Sequence, residues 1–356
     1  MARTEMFASS GVRTMDRTFP IIDTEKFSAE LRRRGILIDE KKILLTKFVD
    51  TKQQTDFTVP PNCGGFGRIH HFRRHQGASW PDNPLPIDPA AKALNLGDLN
   101  QIEAQVFQNA MCSWRCWYCF VDFELLSANH DFAEFKTMDE LLDLYVSEPT
   151  PPRLIDLSGG QPDLVPEWSW WFLEAADKRG LLDRVYVWSD DNLSNDYLWR
   201  YLKQEQISYL ADCPRYGRVG CFKGFDRQSF SFNTKASPEL FEQQFALMRR
   251  LVDSGFDVYG YATFTATDDS QIFQRMRDFV DQLQERVHDL FPLRTIPLRI
   301  LPFAPTRDRV GKEEARALEI QQVATTAWSE ELRRRYSLDQ LNARITEHQL
   351  GTGRDS

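Results

Sequence analysis

Between residues 102 and 303, short apolar runs take turns with longer amphipathic ones, and that alternation limits the fold more than any other feature of the chain. Six runs have strand character: IEAQVFQNA (102–110), RLIDLS (153–158), RVYVWS (184–189), RVGCFKG (218–224), DVYGYATF (257–264) and IPLRILPF (296–303). Each is rich in β-branched or aromatic residues and ends near a turn-forming or polar residue. Helix-like segments lie between them, near 137–148, 167–179, 194–204, 237–254 and 268–288. Start signals precede several of these, at Thr137, Ser194 and Ser237-Pro238. Repeated strand–helix units pair their strands in parallel, because each helix carries the chain back to the starting end of the sheet. The expected fold is α/β, a partial and open (β/α)6 TIM-like barrel. A closed barrel and a flat doubly wound sheet are the rivals. In all three, ligands gather at the carboxyl ends of the strands.

The flanks differ in texture. Residues 1–100 are expected to form an N-terminal extension of mixed strand and loop. ILIDEKKILLTKFVD has the pattern of a β-hairpin, and the Pro/Gly-rich stretch 60–89 reads as loop. Residues 101–305 form the core barrel. After Pro305, KEEARALEIQQVATTAWSEELRRRY and LDQLNARITEHQL predict two helices over the tail, 306–356.

The 12% aromatic content favours a packed core with ring-lined pockets. A formal net charge of −8 argues against a general nucleic-acid binder, which presents a basic face. No apolar run reaches the roughly 18 residues that span a bilayer. The first residues, MARTEMFASSGVRTMDRTF, have no apolar stretch of the secretory kind. The expected compartment is the cytoplasm, where clustered cysteines serve as metal ligands or catalysts rather than disulfides.

Such a cluster follows the first core strand directly. Cys112, Cys116 and Cys119 stand in MCSWRCWYCFVD, a Cys-x3-Cys-x2-Cys spacing. Three thiolates are one ligand short of a tetrahedral zinc site or a cubane cluster, so the set leaves one position open. Structural zinc ordinarily shows paired Cys-x2-Cys units or four ligands, and the sequence offers no partner pair. A four-iron cluster held by three thiolates is the remaining reading.

This spacing after the first strand of a βα barrel resembles the radical SAM (S-adenosylmethionine) superfamily, with a core similar to its activating enzymes. The resemblance implies a 4Fe-4S cluster on Cys112, Cys116 and Cys119 whose unique iron chelates SAM, and a 5′-deoxyadenosyl radical formed by reductive cleavage. It also implies a reductant partner such as flavodoxin or ferredoxin, and a small-molecule, peptide or protein substrate. Tyr118 matches the aromatic that precedes the family's last cysteine and lies near the adenine. LSGGQP, after the second strand, is similar to the family's GGE motif, and places Ser158, Gly159, Gly160 and Gln161 beside the methionine moiety. Gln161 departs from the family's glutamate. Its carbonyl still accepts a hydrogen bond, but the charge is absent. Restoring that charge with Gln161→Glu is expected to keep or tighten SAM binding.

Later strand ends add candidates of the same kind. In VWSDDNLSND the resemblance implies that Ser189, Asp190 and Asn192 contact the SAM ribose and carboxylate; helix capping is the competing use of these residue types. Strict alternation puts Val219, Cys221 and Lys223 on one face of the fourth strand, so Lys223 reaches the rim. Arg299 on the sixth strand is a further cofactor candidate, with core packing as the plain alternative. Cys63, Cys213 and Cys221 are scattered and read as small buried apolar residues rather than an auxiliary cluster. GRIHHFRR (67–74) is a candidate substrate-contact segment or cap over the barrel mouth, with a basic surface loop as the plain alternative. Its adjacent histidines point opposite ways in a strand, so one of them at most faces a site.

Two alternatives stand beside the biosynthetic or modifying radical SAM reading. One is activation of a glycyl-radical enzyme. The other is a non-catalytic iron–sulfur or SAM-binding protein, to which the change from glutamate to Gln161 gives some support.

Overall fold

Six parallel strands run across the molecule in sequence order, and a seventh, antiparallel strand borders the first of them. The structure, a computed structural model, describes residues 21–77 and 80–351. In chain order the strands are β1 (Ile36–Leu37), β2 (Lys42–Thr46), β3 (Gly67–Arg73), β4 (Gln101–Phe107), β5 (Ala133–Thr137), β6 (Leu154–Leu157), β7 (Tyr186–Asp191), β8 (Tyr216–Phe222), β9 (Val258–Thr263) and β10 (Thr295–Leu298). The large sheet has the order β10-β9-β8-β7-β6-β4-β3. Its end strands, β3 and β10, do not pair with each other, so the sheet stays open.

Helices cross from each strand to the next. Met138–Ser147 leads from β5 toward β6, and Glu167–Lys178 joins β6 to β7. Two helices, Arg227–Thr234 and Leu240–Asp253, lie between β8 and β9, and Ile272–Arg286 precedes β10. Thr137 starts its helix as expected: its hydroxyl accepts from the Glu140 amide at 3.2 Å, and the Glu140 carboxylate caps the Thr137 amide at 2.8 Å. Ser194 does not cap a helix. The residues expected to form a helix over 194–204 begin one only at Tyr197, and a second helix, Gln204–Asp212, follows at once.

Alternation divides the sheet into two faces. Ile155, Leu157, Val187, Phe222, Val258 and Ala262 belong to the main core, toward the helices. Ala104, Val106, Leu154, Trp188, Val219, Cys221 and Tyr259 belong to a second cluster on the concave side. Burying each such aliphatic side chain stabilises the fold by about 1.5–3 kcal/mol.

The N-terminal extension is built into this core. The expected hairpin is present as β1 and β2, and β5 joins it as a third strand. Its far end meets the start of the cysteine loop, where the Ala110 amide donates to Leu44 O at 3.0 Å and the Thr46 amide to Gln108 O at 2.8 Å. The stretch 60–89, expected to be loop, supplies β3 and then the helix Ile87–Leu94. Gly67 opens β3 and Pro89 lies in the first turn of the helix, so residues that read as loop stand inside both elements. From β3 the chain crosses toward β9 and β10. There Trp80 Nε1 donates to Pro297 O at 3.2 Å, and the Tyr261 hydroxyl bonds to Leu85 O at 3.2 Å. Leu85, Ala90 and Leu94 then fill the concave cluster from below.

In the tail, one helix of 24 residues (Lys312–Arg335) is followed by a short one (Leu338–Asn342) and a single 3-10 turn. No helix among the described residues is long and apolar enough to cross a membrane.

Candidate metal and cofactor site

The cysteine loop begins where β4 ends, at the carboxyl edge of the parallel strands. Its shape comes from backbone groups bonded to distant parts of the chain. Cys112 N donates to Leu126 O at 3.0 Å, Arg115 N to Thr234 O at 3.2 Å and Trp117 N to Asn233 O at 3.3 Å. A tight turn brings Cys119 N to Cys116 O at 3.0 Å. Asn233 is the central clamp. Its side-chain oxygen accepts from Trp117 Nε1 at 3.0 Å and Thr265 Oγ1 at 2.7 Å, while its amide donates to Lys223 O at 2.8 Å. One side chain therefore ties the loop to the ends of β8 and β9.

All six cysteines are free thiols. Burial pushes Cys112 up to about 12 and Cys116 to about 11, with the neighbouring thiols adding to the shift at Cys112. Cys119 is raised by burial as well. Among the described residues, no three His, Cys, Asp or Glu side chains are gathered about a common point in the manner of ligands. The donor chemistry nevertheless suits a thiolate-bound metal. Three buried thiols share one loop, and two arginines grip that loop by its carbonyls. Arg115 donates to Cys112 O at 2.5 Å, and Arg309 to Cys119 O at 2.9 Å and Val121 O at 3.0 Å. Lys223 brings a third cation. Burial works against its charge, but Cys221, Tyr118, Cys116 and Cys112 outweigh that and hold it well above the usual lysine range. Three fixed positive charges offset the negative charge of three thiolates.

The Gly-Gly-Gln turn packs directly on this loop. Gly159 (φ +77°) and Gly160 (φ +64°) both lie in the left-handed region. A Cβ on Gly160 would sit 2.2 Å from Asn109 O and 2.8 Å from Met111 O. Backbone approach to the stretch before Cys112 is thus what requires glycine at this position.

Gln161 is fully buried and completely hydrogen-bonded. Its Oε1 accepts from the Ser113 amide at 2.8 Å and hydroxyl at 2.9 Å, and its Nε2 donates to Asp163 at 2.9 Å and Ser194 at 2.5 Å. It braces the cysteine loop against the turn after β7. A glutamate here would lose both donated bonds and face Asp163, whose carboxyl burial and Asp191 already push up to about 6. On this geometry Gln161→Glu is expected to loosen the brace between the cysteine loop and the turn after β7.

The remaining candidates divide. Tyr118, Ser158, Asp190, Asn192 and Lys223 come together near the loop. Tyr118 Oη lies 3.1 Å from Thr263 Oγ1, and Ser158 Oγ donates to Asp190 at 2.6 Å. Asn192 Nδ2 approaches Cys112 Sγ at 3.5 Å. Ser189 takes the opposite face, bonded to the Tyr216 hydroxyl at 2.6 Å within the layer between sheet and helices. Arg299 turns to the N-terminal extension, where it donates to Gln76 O and lies over the Trp80 ring at 5.9 Å.

No protein-family model matches the chain, and no curated protein sequence does. Among solved structures, SuiB of Streptococcus suis bound to precursor peptide SuiA is 15% identical over 51% of this chain and 36% of its own, with a TM-score of 0.36. SuiB bound to S-adenosylmethionine is 15% identical over 55% of this chain and 40% of its own, at 0.38. A spore photoproduct lyase mutant with bound AdoMet and dinucleoside spore photoproduct is 13% identical over 60% of this chain and 58% of its own, at 0.38. The chain thus spans 36–58% of the length of these proteins.

Several residues that shape the site are not among the sequence candidates: Asn109, Asp156, Asp163, Asn233 and Arg309; Arg68 lies within the 67–74 stretch but is not singled out there. Alternation could have found two of them. Asp156 shares a face with Leu154 and Ser158, and Arg68 with His70 and Phe72. His71 takes the other side of β3, 3.4 Å from Glu103.

Proposed function

We propose that this chain is a radical SAM enzyme. The observation that carries the reading is the three-cysteine loop at the carboxyl end of the first parallel strand, braced by the Gly159-Gly160-Gln161 turn and flanked by three cations. Cys112, Cys116 and Cys119 would hold a 4Fe-4S cluster. Once reduced by a donor such as flavodoxin or ferredoxin, such a cluster would supply the electron for reductive cleavage of SAM, giving the 5′-deoxyadenosyl radical as the agent of hydrogen abstraction.

The chain's own residues bind, orient and shield. Arg115 and Arg309 fix the loop through its carbonyls. Tyr118 and Trp117 enclose it, with ring centroids 5.6 Å apart. Ser158, Asp190 and Asn192 offer polar contacts to a ribose, and the Gly159-Gly160 backbone leaves room beside the loop. The concave face below, capped by Leu85 and the Ile87–Leu94 helix, excludes water from a radical. The substrate is a small molecule or peptide in a biosynthetic or modifying step.

Anaerobic reconstitution with iron and sulfide, then dithionite and SAM, is expected to give 5′-deoxyadenosine. Cys116→Ala is expected to abolish both the iron absorbance and the product. Absence of 5′-deoxyadenosine from a protein carrying the full iron complement sinks the reading.

Saturation of Gln161 by internal partners favours a second reading, a non-catalytic iron–sulfur or SAM-binding protein. Tight SAM binding without cleavage under the same conditions is its signature.

A further inference from the structure

The concave face buries two ionisable side chains that pair with nothing among the described residues, an arginine and a carboxyl that burial holds well above the usual carboxylate range. Arg68, on β3, is 8% exposed, yet its guanidinium makes no hydrogen bond or ion pair among the described residues, and its Nε is fully enclosed without a partner. Two rings hold it in place, Phe57 at 5.8 Å and Phe120, the residue after Cys119, at 5.3 Å. Asp156, on β6, is 3% exposed and likewise accepts no hydrogen bond, with Oδ1 enclosed and unpartnered. Register puts both on one row of the sheet: Arg68 is opposite Val106, and Val106 opposite Asp156. Two strand spacings separate their Cα atoms by about 10 Å. The pair stays too far apart to form an ion pair, yet close enough that each shifts the other's ionisation.

Burying a guanidinium and a carboxyl without hydrogen bonds costs stability. A ligand ammonium beside Asp156 would draw its carboxyl back to the charged form, so the opposed pair marks a place where a ligand completes the bonding. The surrounding charge selects the ligand. A phosphate dianion would meet Asp156 and Asp190, and a simple cation would meet Arg68 and Lys223. A ligand with one charge of each sign satisfies both ends.

We propose that Arg68 and Asp156 form a binding site for the zwitterionic head of an α-amino acid or amino-acid-like small molecule. Arg68 takes the carboxylate and Asp156 the ammonium. Calling this ligand the substrate rests on the radical SAM reading; the binding itself does not.

Isothermal titration of the anaerobically reconstituted full chain with each of the twenty standard L-amino acids tests the site. At least one is expected to bind, and its carboxamide and N-acetyl derivatives to bind about tenfold more weakly or worse. Arg68→Gln is expected to abolish discrimination against the carboxamide, and Asp156→Asn that against the N-acetyl form. Binding by none of the twenty overturns the proposal, as does equal binding of the derivatives. Displacement of the bound amino acid by SAM one for one also overturns it, because the pair would then belong to the cofactor. Should either variant fail to fold, the derivative series on the unaltered protein still decides. Amino-acid binding without 5′-deoxyadenosine formation sinks the radical reading alone, and the converse result sinks this site alone.

Discussion

Ionisable groups are buried on both sides of the sheet, but two on the concave side have no partner among the described residues. In the layer under the helices, Arg218 donates to Asp191 at 2.7 Å and 3.1 Å and to the Tyr216 hydroxyl at 3.3 Å, and Tyr216 in turn meets Ser189. Arg32 and Glu167 form a second closed pair at 2.5 Å. On the concave face, Arg68 and Asp156 are also buried and have no hydrogen-bond partner among the described residues. Evolution of a fold removes or pairs charges that only cost stability. An arginine and a carboxyl that stay buried and unpaired in one place, while the same sequence pairs such groups elsewhere, mark the face that meets ligands.

Substitution can break that contrast, and the largest effect is expected on the paired side. Arg218→Met leaves Asp191 buried beside one remaining amide, which should destabilise the chain by about 3–5 kcal/mol in urea unfolding. A loss below about 1 kcal/mol would erase the distinction between the two faces. Gly160→Ala acts at the rim between them. A left-handed alanine pressed on Asn109 O should cost about 2–5 kcal/mol and lower the iron bound on reconstitution. Gln161→Glu replaces two donated bonds with repulsion from Asp163, a loss of about 1–3 kcal/mol. It should be milder at pH 5 than at pH 8, because protonating either carboxyl removes the repulsion. Improved SAM binding in this variant would contradict the bracing role. The smallest effect belongs to the concave side. Arg68→Met should leave stability unchanged or raise it by about 1 kcal/mol, since it deletes a charge with nothing to release.

The sequence made the parallel strands legible because each shows its period within a few residues. Each of the six runs overlaps one of the parallel strands, with ends off by one or two residues at the start and by up to five at the finish. Lys223 was placed toward the site by the same alternation. Ser189 and Asp190 could have been separated by it too, since Tyr186, Trp188 and Asp190 share one face and Ser189 takes the other. What stayed hidden is non-local. β3 lies in a stretch whose glycines and prolines imitate loop, and it becomes a strand only because β4 offers an edge. The role of Gln161 depends on Ser113 and Ser194, which are 48 and 33 residues away. Asn233 and Arg309 look like ordinary surface residues until the fold delivers them to the cysteine loop. Short-range pattern located the loop; only the fold showed what steadies it.

Those supports also set a schedule. The loop from 112 to 119 is anchored at Thr24 through Trp114, 3.3 Å away, at Asn233 in the middle of the chain, and at Arg309 beyond the last parallel strand. During synthesis the thiols emerge early, but their last restraint exists only after residue 309 has been made and packed. Until then the three cysteines belong to a slack segment, open to oxidation and to stray metals. A metal that needs them held together meets them so only in a finished chain, which makes its delivery a step after folding and ties its yield to how well the C-terminal part closes over the site.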